Sequence, residues 1–463
     1  MTSRLACLGG LLLVVGCTKS NPAAKCSSNG TCTDPNFPFC DVDGSIGGEA
    51  GTCIAVQCMP GSFGSCADAN TALICNSIGE SYDKQACING CDSKSGCVTC
   101  TANTKSCSNN VTTSCDAMGR ISMQTCAIGC STDATHCLEL VPSNGLGQYY
   151  GLAMPQDLSL ASGTLDLDTS MFDDGTTKTM LQSFDVAAPI GGSPIRVFVA
   201  KHLTLGDVTI LSTNASTNKG VGYAVAFLAT GDIDVTGRVV VQTGAYNEPG
   251  CSGGTGLMSG SCTGGSGGGA FASVGGAGGN AGGAIGGIAG GASGTIELVP
   301  LRGGCPGGGF SAAGGAIQLT SQTAVHITGL IILDGLGGGA GGGALIEAQS
   351  VSLGATARIL ARGGAGGGGN LCPPPPPDDA TPFQGCGCKT GGGVSCGVGG
   401  AGASNGTGAG NGQSTTCART FGGAGGGGGG YGRVRINTLD ATVTIDPAAV
   451  MAGLVTTGRV VTQ

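Results

Sequence analysis

Tryptophan is absent from the 463 residues, aromatics make up 4% and charged residues 10%. Without large aromatic anchors a packed interior has to come from Val, Ile, Leu and Ala, so a conventional enzyme domain is not expected. Basic residues are scarce too: 20 Lys and Arg against 28 Asp and Glu leave a net charge of −8, with no basic cluster. Neutralising a nucleic-acid backbone needs a concentrated basic face, which excludes nucleic acid as a partner. The only histidines are His136, His202 and His326. The last two fall in strand-like sequence, where a surface role is expected and a nucleophilic triad is not. What is abundant is glycine, 95 residues, and cysteine, 26.

The N-terminus reads as an export signal. Arg4 supplies the charge, "LACLGGLLLVV" is an apolar run of signal-peptide length, and "VVGC" ends it at Cys17. This resembles a bacterial lipobox, with Gly16 as the small residue before the cysteine, although Val14 and Val15 stand where Leu and a small residue are usual. The resemblance implies cleavage after residue 16, lipidation at Cys17, and, with Thr18 rather than Asp following, sorting to the outer membrane. Residues 17–25 then form a polar tether held by several acyl chains. No other stretch is long and polar-free enough to span a bilayer, so the chain is expected to be anchored and not spanning.

Cysteine follows a plan. Residues 26–57 hold Cys26, Cys32, Cys40 and Cys53. A tandem repeat follows, with Cys58, Cys66, Cys75, Cys87, Cys91 and Cys97 in residues 58–99 and Cys100, Cys107, Cys115, Cys126, Cys130 and Cys137 in 100–137. Matching "CINGC" and "CAIGC" support a duplication. In an exported chain, even numbers of regularly spaced cysteines read as disulfides that compensate for a small core. Spacing does not choose among the pairings. "CVTC" at 97–100 is the one zinc-knuckle-like pair, but it lies where the repeats join and lacks a second pair, so neither a metal nor another cofactor is expected. A thioredoxin-like use would need a βαβ context that is absent.

Residues 138–194 read as a linker or cap. From 195 short apolar strands recur, most clearly in "AVAFLATGDIDVTGRVVVQTGA" (224–245), "AIQLTSQTAVHITGLIILDGLG" (316–337) and "ALIEAQSVSLGATARILARGGA" (344–365). Each holds three short strands and is bounded by glycine. Residues 195–212 and 432–450 look like diverged copies, and "GTIELVPLRGG" (294–304) like a partial one. The pattern predicts an all-β fold: a right-handed parallel β-solenoid over 195–463, preceded by the disulfide-rich modules. Alternation places Ile233, Val235, Val325 and Ile327 inward and Asp232, Asp234 and His326 outward. Leu345, Val351, Leu353 and Ile359 are expected in the core.

Two glycine-rich stretches, about 246–313 and 366–430, interrupt the repeat and read as corner insertions. Ordering glycine is entropically costly, so these loops are expected to be mobile unless pinned. The pins are Cys251, Cys262 and Cys305 in the first and Cys372, Cys386, Cys388, Cys396 and Cys417 in the second; three and five imply a bridge between insertions or a free thiol. "PPPPP" (373–377) with Asp378 and Asp379 reads as a stiff polyproline spur. "GGGAGG" (337–342) satisfies a dinucleotide-binding pattern only because glycine runs do so by chance, and a strand-like "ALIEAQ" follows it.

The layout of lipobox, cysteine repeats and a region of the form "GGGAGGGALIEA…ARGGAGGGG" resembles a class of glycine-rich, cysteine-repeat predicted surface lipoproteins of Gram-negative bacteria. That class carries no established activity; the resemblance implies location and architecture. The leading expectation is a non-enzymatic, lipid-anchored cell-envelope protein, structural or adhesive, with the membrane and extracellular matrix or glycan as partners. The alternative is a carbohydrate-binding or carbohydrate-active β-helix protein. Its candidate carboxylates, Asp232 and Asp234, stand beside no Trp and few Tyr, and two outward Asp on one strand are an ordinary solvated face. Calcium binding through nonapeptide repeats is excluded, because runs such as "GGAGGGGGGYG" (422–432) lack the Asp it needs.

Overall fold

The computed structural model describes residues 20–28, 31–46, 48–117, 119–126, 128–152, 154–212, 222–242, 250–309, 311–367, 397–404, 407–416 and 423–463. Among these there is no α-helix; the chain is all-β with two short 3-10 turns. It divides into two compact units, Met1–Leu138 and Glu139–Gln463. The signal segment, Cys17 and the proline run lie outside the described residues.

The first unit is built from small antiparallel sheets. Thr52–Ile54 lies between Ser20–Lys25 and Phe39–Asp41. The expected tether is therefore shortened, because pairing already begins at Ser20. Each six-cysteine repeat forms one three-stranded sheet: Phe63–Asp68, Thr71–Cys75 and Tyr82–Ala86 in the first, Lys105–Ser108, Val111–Cys115 and Ile121–Thr125 in the second. Asn109 and Asn110, both at positive φ, make the tight turn that joins two strands of the second sheet. Cys58 bonds Cys75, Cys66 bonds Cys91 and Cys87 bonds Cys97. Cys100–Cys115, Cys107–Cys130 and Cys126–Cys137 follow the same order, first to third, second to fifth, fourth to sixth. The four-cysteine module pairs Cys26 with Cys40 and Cys32 with Cys53. Cystine replaces the missing hydrophobic core: Cys58, Cys75, Cys87, Cys107, Cys115 and Cys126 are buried, while Tyr82–Ala86 and Ile121–Thr125 are exposed along their whole length. Two cysteine triplets lie close enough to suggest a metal, Cys26/Cys32/Cys53 and Cys107/Cys126/Cys130. Each is explained by two adjacent bridges whose sulfurs are already bonded.

The second unit contains two large sheets. Ile195–Ala200, Ala224–Ala229, Ala316–Ser321, Gly343–Glu347, Arg433–Thr438 and Leu454–Arg459 lie side by side in sequence order, all parallel, in a seven-stranded sheet. Phe184–Val186 covers its first edge in antiparallel register. The second and third strands of each repeat enter a twelve-stranded sheet. There the long strand Leu203–Leu211 pairs with Leu158–Asp166 on one side and with both Ile233–Val235 and Arg238–Gln242 on the other. From then on the two strands of each repeat stack separately, Ala324–Ile327 to Ser350–Leu353 and Leu330–Ile332 to Arg358–Leu360 to Val450–Ala452. Residues 138–194 are thus no mere linker, since they supply strands to both sheets.

One core lies between the sheets. Phe198, Val225, Phe227, Ile317, Leu319, Ile346 and Ile436 meet Leu205, Ile233, Val235, Val325, Ile327, Val351, Leu353 and Ile359, all but fully buried. Phe198 and Phe227 stack with ring centroids 5.4 Å apart. The outer face of the seven-stranded sheet is buried as well, under Leu146, Tyr149, Phe271, Leu298 and Leu301. With both faces covered the strands read as unbroken apolar runs such as "AVAFLA". That second layer completes the core. Leu345 is buried as expected and faces the outer layer, while Ala344 and Ile346 enter the main core. "GTIELVPLRGG" forms no strand; its Leu298 and Leu301 cover the sheet instead.

Candidate functional site

The polar residues singled out in the sequence come together on the outer face of the twelve-stranded sheet. Thr204, Asp234, His326, Ser352 and Thr444 occupy one register position on successive strands. Ser352 Oγ and His326 Nδ1 share a 2.8 Å hydrogen bond, but no hydrogen bond or ion pair joins Asp234 to His326 among the described residues. Asp232 accepts from the Thr323 hydroxyl and from the Ala324 amide at 3.2 Å, and its own amide donates to His202 Nδ1 at 3.2 Å. Asp207 accepts from the Arg238 amide at 2.8 Å. Asp207 and Asp232 thus fasten one repeat to the next, and the row lies on an open face with exposed His326. Turn carboxylates behave alike. Side-chain hydroxyls hold Asp43, Asp92, Asp174 and Asp440 below the usual carboxylate range, the Gly175 amide does so for Asp173, and the Ser131 hydroxyl does so for Asp133. Such lowering keeps these carboxylates ionised as hydrogen-bond acceptors in their turns, whereas a general acid at neutral pH requires a raised value.

A second arrangement lies in the glycine-rich stretches, whose described residues are packed, hydrogen-bonded backbone. Residues 423–431 form an extended segment surrounded by six others. Gly425 and Gly428 donate to Gln413 and Gly410, Gly426 and Gly429 to Gly367 and Gly364, and Gly427 and Gly430 to Ser266 and Gly269, all at 2.8–3.0 Å. The carbonyls of the same run accept from Gly279 and Gly276, from Gly397, Gly400 and Ala403, and from Gly341. Every third residue points to the same neighbour, which is the signature of a threefold extended chain of the polyproline II kind. Residues 265–269 repeat the pattern, bonding to segments around 254, 276–279, 287–290, 308, 338 and 427–430.

Close approach is what demands glycine here. None of Gly425 to Gly430 has a positive φ, so conformational freedom is not the reason. A Cβ at Gly425, Gly427, Gly428 or Gly429 would fall on the carbonyl oxygen of Val398, Gly276, Ala401 or Gly339. Collagen needs glycine at one position in three, where its axis is crowded; a chain enclosed on all sides needs it at all three. The corner before Gly343–Glu347 is different, because Gly337 and Gly338 do adopt positive φ.

The glycine segments continue directly from the sheets. Leu330–Ile332 runs into residues 335–342, Arg358–Leu360 into 363–367, and 423–432 into Arg433–Thr438. At two of these junctions Arg362, fully buried, pairs with the nearly buried carboxylate of Asp334: Arg362 Nη2 lies 2.6 Å from Asp334 Oδ2, and the Arg362 amide donates to Asp334 Oδ1 at 2.8 Å. The pair fixes two glycine segments against each other as they leave the sheet. Cys251 bonds Cys305 across 54 residues, and Cys262 is also disulfide-bonded. The expected bridge between the two stretches rests on Cys262, because Cys372, Cys386, Cys388, Cys396 and Cys417 lie outside the described residues. Replacing both Cys251 and Cys305 by alanine is expected to destabilise this unit by roughly 2–4 kcal/mol, read from denaturant unfolding; an unchanged midpoint would show that the glycine contacts alone hold the segment.

The chain does carry a signal for this bundle. "GGSGGG" (264–269), "GGAGGNAGGAIGGIAGGA" (275–292) and "GGAGGGG" (363–369) place glycine pairs at three- and four-residue intervals, with one or two small, polar or aliphatic residues between them. Those intervening residues lie on the outside where a segment is at the surface: Ile285, Ile288 and Val398 are exposed. No protein-family model, curated protein or solved structure matches the chain.

Proposed function

We propose that this chain is a lipid-anchored protein of the outer membrane, non-enzymatic, with a structural or adhesive role at the cell envelope. In this reading Cys17 carries the lipid, the cysteine modules form a cross-linked stalk, and the repeated strand triplets wind as a right-handed parallel β-solenoid that displays the glycine bundle. Three features support the winding: sequence-order parallel stacking of the strands, unshifted register from repeat to repeat, and the near-universal right hand of parallel crossovers. The observation that carries the function is the bundle itself. It is a solid body of hydrogen-bonded backbone in which residues 249–296 include no Asp, Glu, Lys, Arg or His. Such a body offers a durable, uncharged surface, without the carboxylates, lysines or imidazoles that most often serve as general acid or base. No helix among the described residues is long and apolar enough to cross a membrane, and in this reading attachment is by lipid.

Expressed in a Gram-negative host, the full chain is expected to incorporate labelled fatty acid and to fractionate with the outer membrane. The Cys17→Ala variant is expected to lose the label and to leave the outer-membrane fraction. A variant that still takes up label or still fractionates with the outer membrane, or a wild type without label, refutes the anchor. Protease treatment of intact cells then tells surface from periplasmic exposure. A second reading, glycan binding, draws on the polar row through Asp234, His326 and Ser352. Retention of the full chain on a glycan array, abolished by His326→Ala, would favour it, and release of cleaved sugar would overturn the non-enzymatic assignment.

A further inference from the structure

We infer that two copies of this chain associate through an apolar strip on the glycine bundle formed by Leu257, Met258, Ile285 and Ile288. The strip follows from the packing of residues 285–290. Among the described residues their backbone neighbours are three: Gly254 and Leu257 donate to the carbonyls of Ile288 and Ile285, Gly287 and Gly290 donate to Gly265 and Gly268, and Gly278 and Gly275 donate back to Gly287 and Gly290. The central run 423–431 has six neighbours. Half of the positions around 285–290 are therefore open, and the open side carries Ile285 and Ile288, the latter 76% exposed, next to Leu257 and the 74% exposed Met258. Among the described residues the amides of Ile288 and Ala289 bond no backbone carbonyl, so the segment presents unmet donors together with apolar side chains.

A second copy fits this face better than other occupants, for three reasons. The missing neighbours are glycine segments of the same kind, and antiparallel pairing between such segments is already used inside the bundle, by 265–268 with 276–279 and by 425–428 with 410–413. A two-fold axis brings 285–290 against itself in that antiparallel sense, giving a self-complementary contact. Isoleucines one threefold turn apart stand about 9 Å from each other, which leaves room for an isoleucine of the other copy to enter over glycine. Charge points the same way. The chain carries a net charge of −8, which opposes self-association over most of its surface, but residues 249–296 contribute no charge at all. A membrane-binding face would pair its apolar residues with Lys or Arg, and a sugar-binding face would offer aromatic platforms; neither lies in the strip.

The test uses the full chain as Cys17→Ala, so that no lipid contributes, in sedimentation-velocity runs from about 1 to about 100 µM. The expected result is a concentration-dependent dimer, converted to monomer by Ile288→Asp with unchanged thermal unfolding. Ile288→Ala, which cannot disturb folding through charge, is expected to weaken the dimer by roughly tenfold. A wild type that stays monomeric throughout overturns the proposal, as does a dimer indifferent to both substitutions. A monomer that co-sediments with phosphatidylcholine vesicles, and loses this with Ile288→Asp, overturns it in favour of a lipid partner.

Discussion

Replacing Gly428 by alanine is expected to remove more than about 4 kcal/mol of stability from the Glu139–Gln463 unit, enough to leave the glycine bundle unformed. The added methyl group would sit on the Ala401 carbonyl oxygen, and nothing nearby can give way. Overpacked cores ordinarily relax through side-chain rotamers. The neighbours of Gly428 are backbone: it donates to Gly410, accepts from Gly276, and lies among chains that are each hydrogen-bonded to others. Moving one would break several bonds. Gly408→Ala provides the comparison, because its Cβ would meet nothing within 4 Å; its unfolding midpoint is expected to stay within about 0.5 kcal/mol of the wild type or to rise slightly, alanine being less costly to order. Native-state hydrogen exchange at the amides of Gly425 to Gly430 gives a local readout: strong protection in the wild type and in Gly408→Ala, loss in Gly428→Ala. Equal melting of the two variants would show that the bundle does not depend on close backbone contact.

Asp334→Ala is expected to cost roughly 3–5 kcal/mol, since it strands a buried guanidinium. The Arg362 side chain is 0% exposed, and Asp334 meets both that guanidinium and the Arg362 amide. The double variant Asp334→Leu with Arg362→Met should recover most of the loss, because a buried ion pair contributes little beyond an apolar pair of similar volume. Denaturant unfolding of the wild type, Asp334→Leu, Arg362→Met and the double variant closes the cycle. A double variant as unstable as Asp334→Ala would mean that the pair sets the register of residues 335–342 against 363–367 and that apolar packing cannot replace it.

Several features of the fold are legible in the order of residues. The six-cysteine duplication appears in the chain as spacing and in space as one disulfide order used twice. The pairing itself is not legible, because spacing leaves all pairings open until the strands dictate which sulfurs meet. Inward placement of Ile233, Val235, Val325 and Ile327 and outward placement of Asp234 and His326 follow from the period of two. Leu345 is buried as expected, but which layer it faces is not legible, because Gly343–Glu347 is covered on both faces and alternation says only that neighbours differ. "GTIELVPLRGG" resembles a strand because its apolar residues serve a buried surface, though as a cover.

Glycine divides what sequence alone determines from what only tertiary structure decides. Cysteine parity, the export-like N-terminus, the strand repeat and the lack of a basic run are local properties, present in the order and chemistry of neighbouring residues. Whether a glycine run is a loose loop or a packed body is not local. With no side chain, glycine contributes no hydrophobic pattern, and in an isolated run ordering it only costs entropy. The cost is offset where residues 423–431 meet six other segments drawn from positions as far apart as 266 and 413, each supplying backbone donors or acceptors. That meeting depends on where the sheet strands release each glycine segment, and the strand stack settles it in three dimensions.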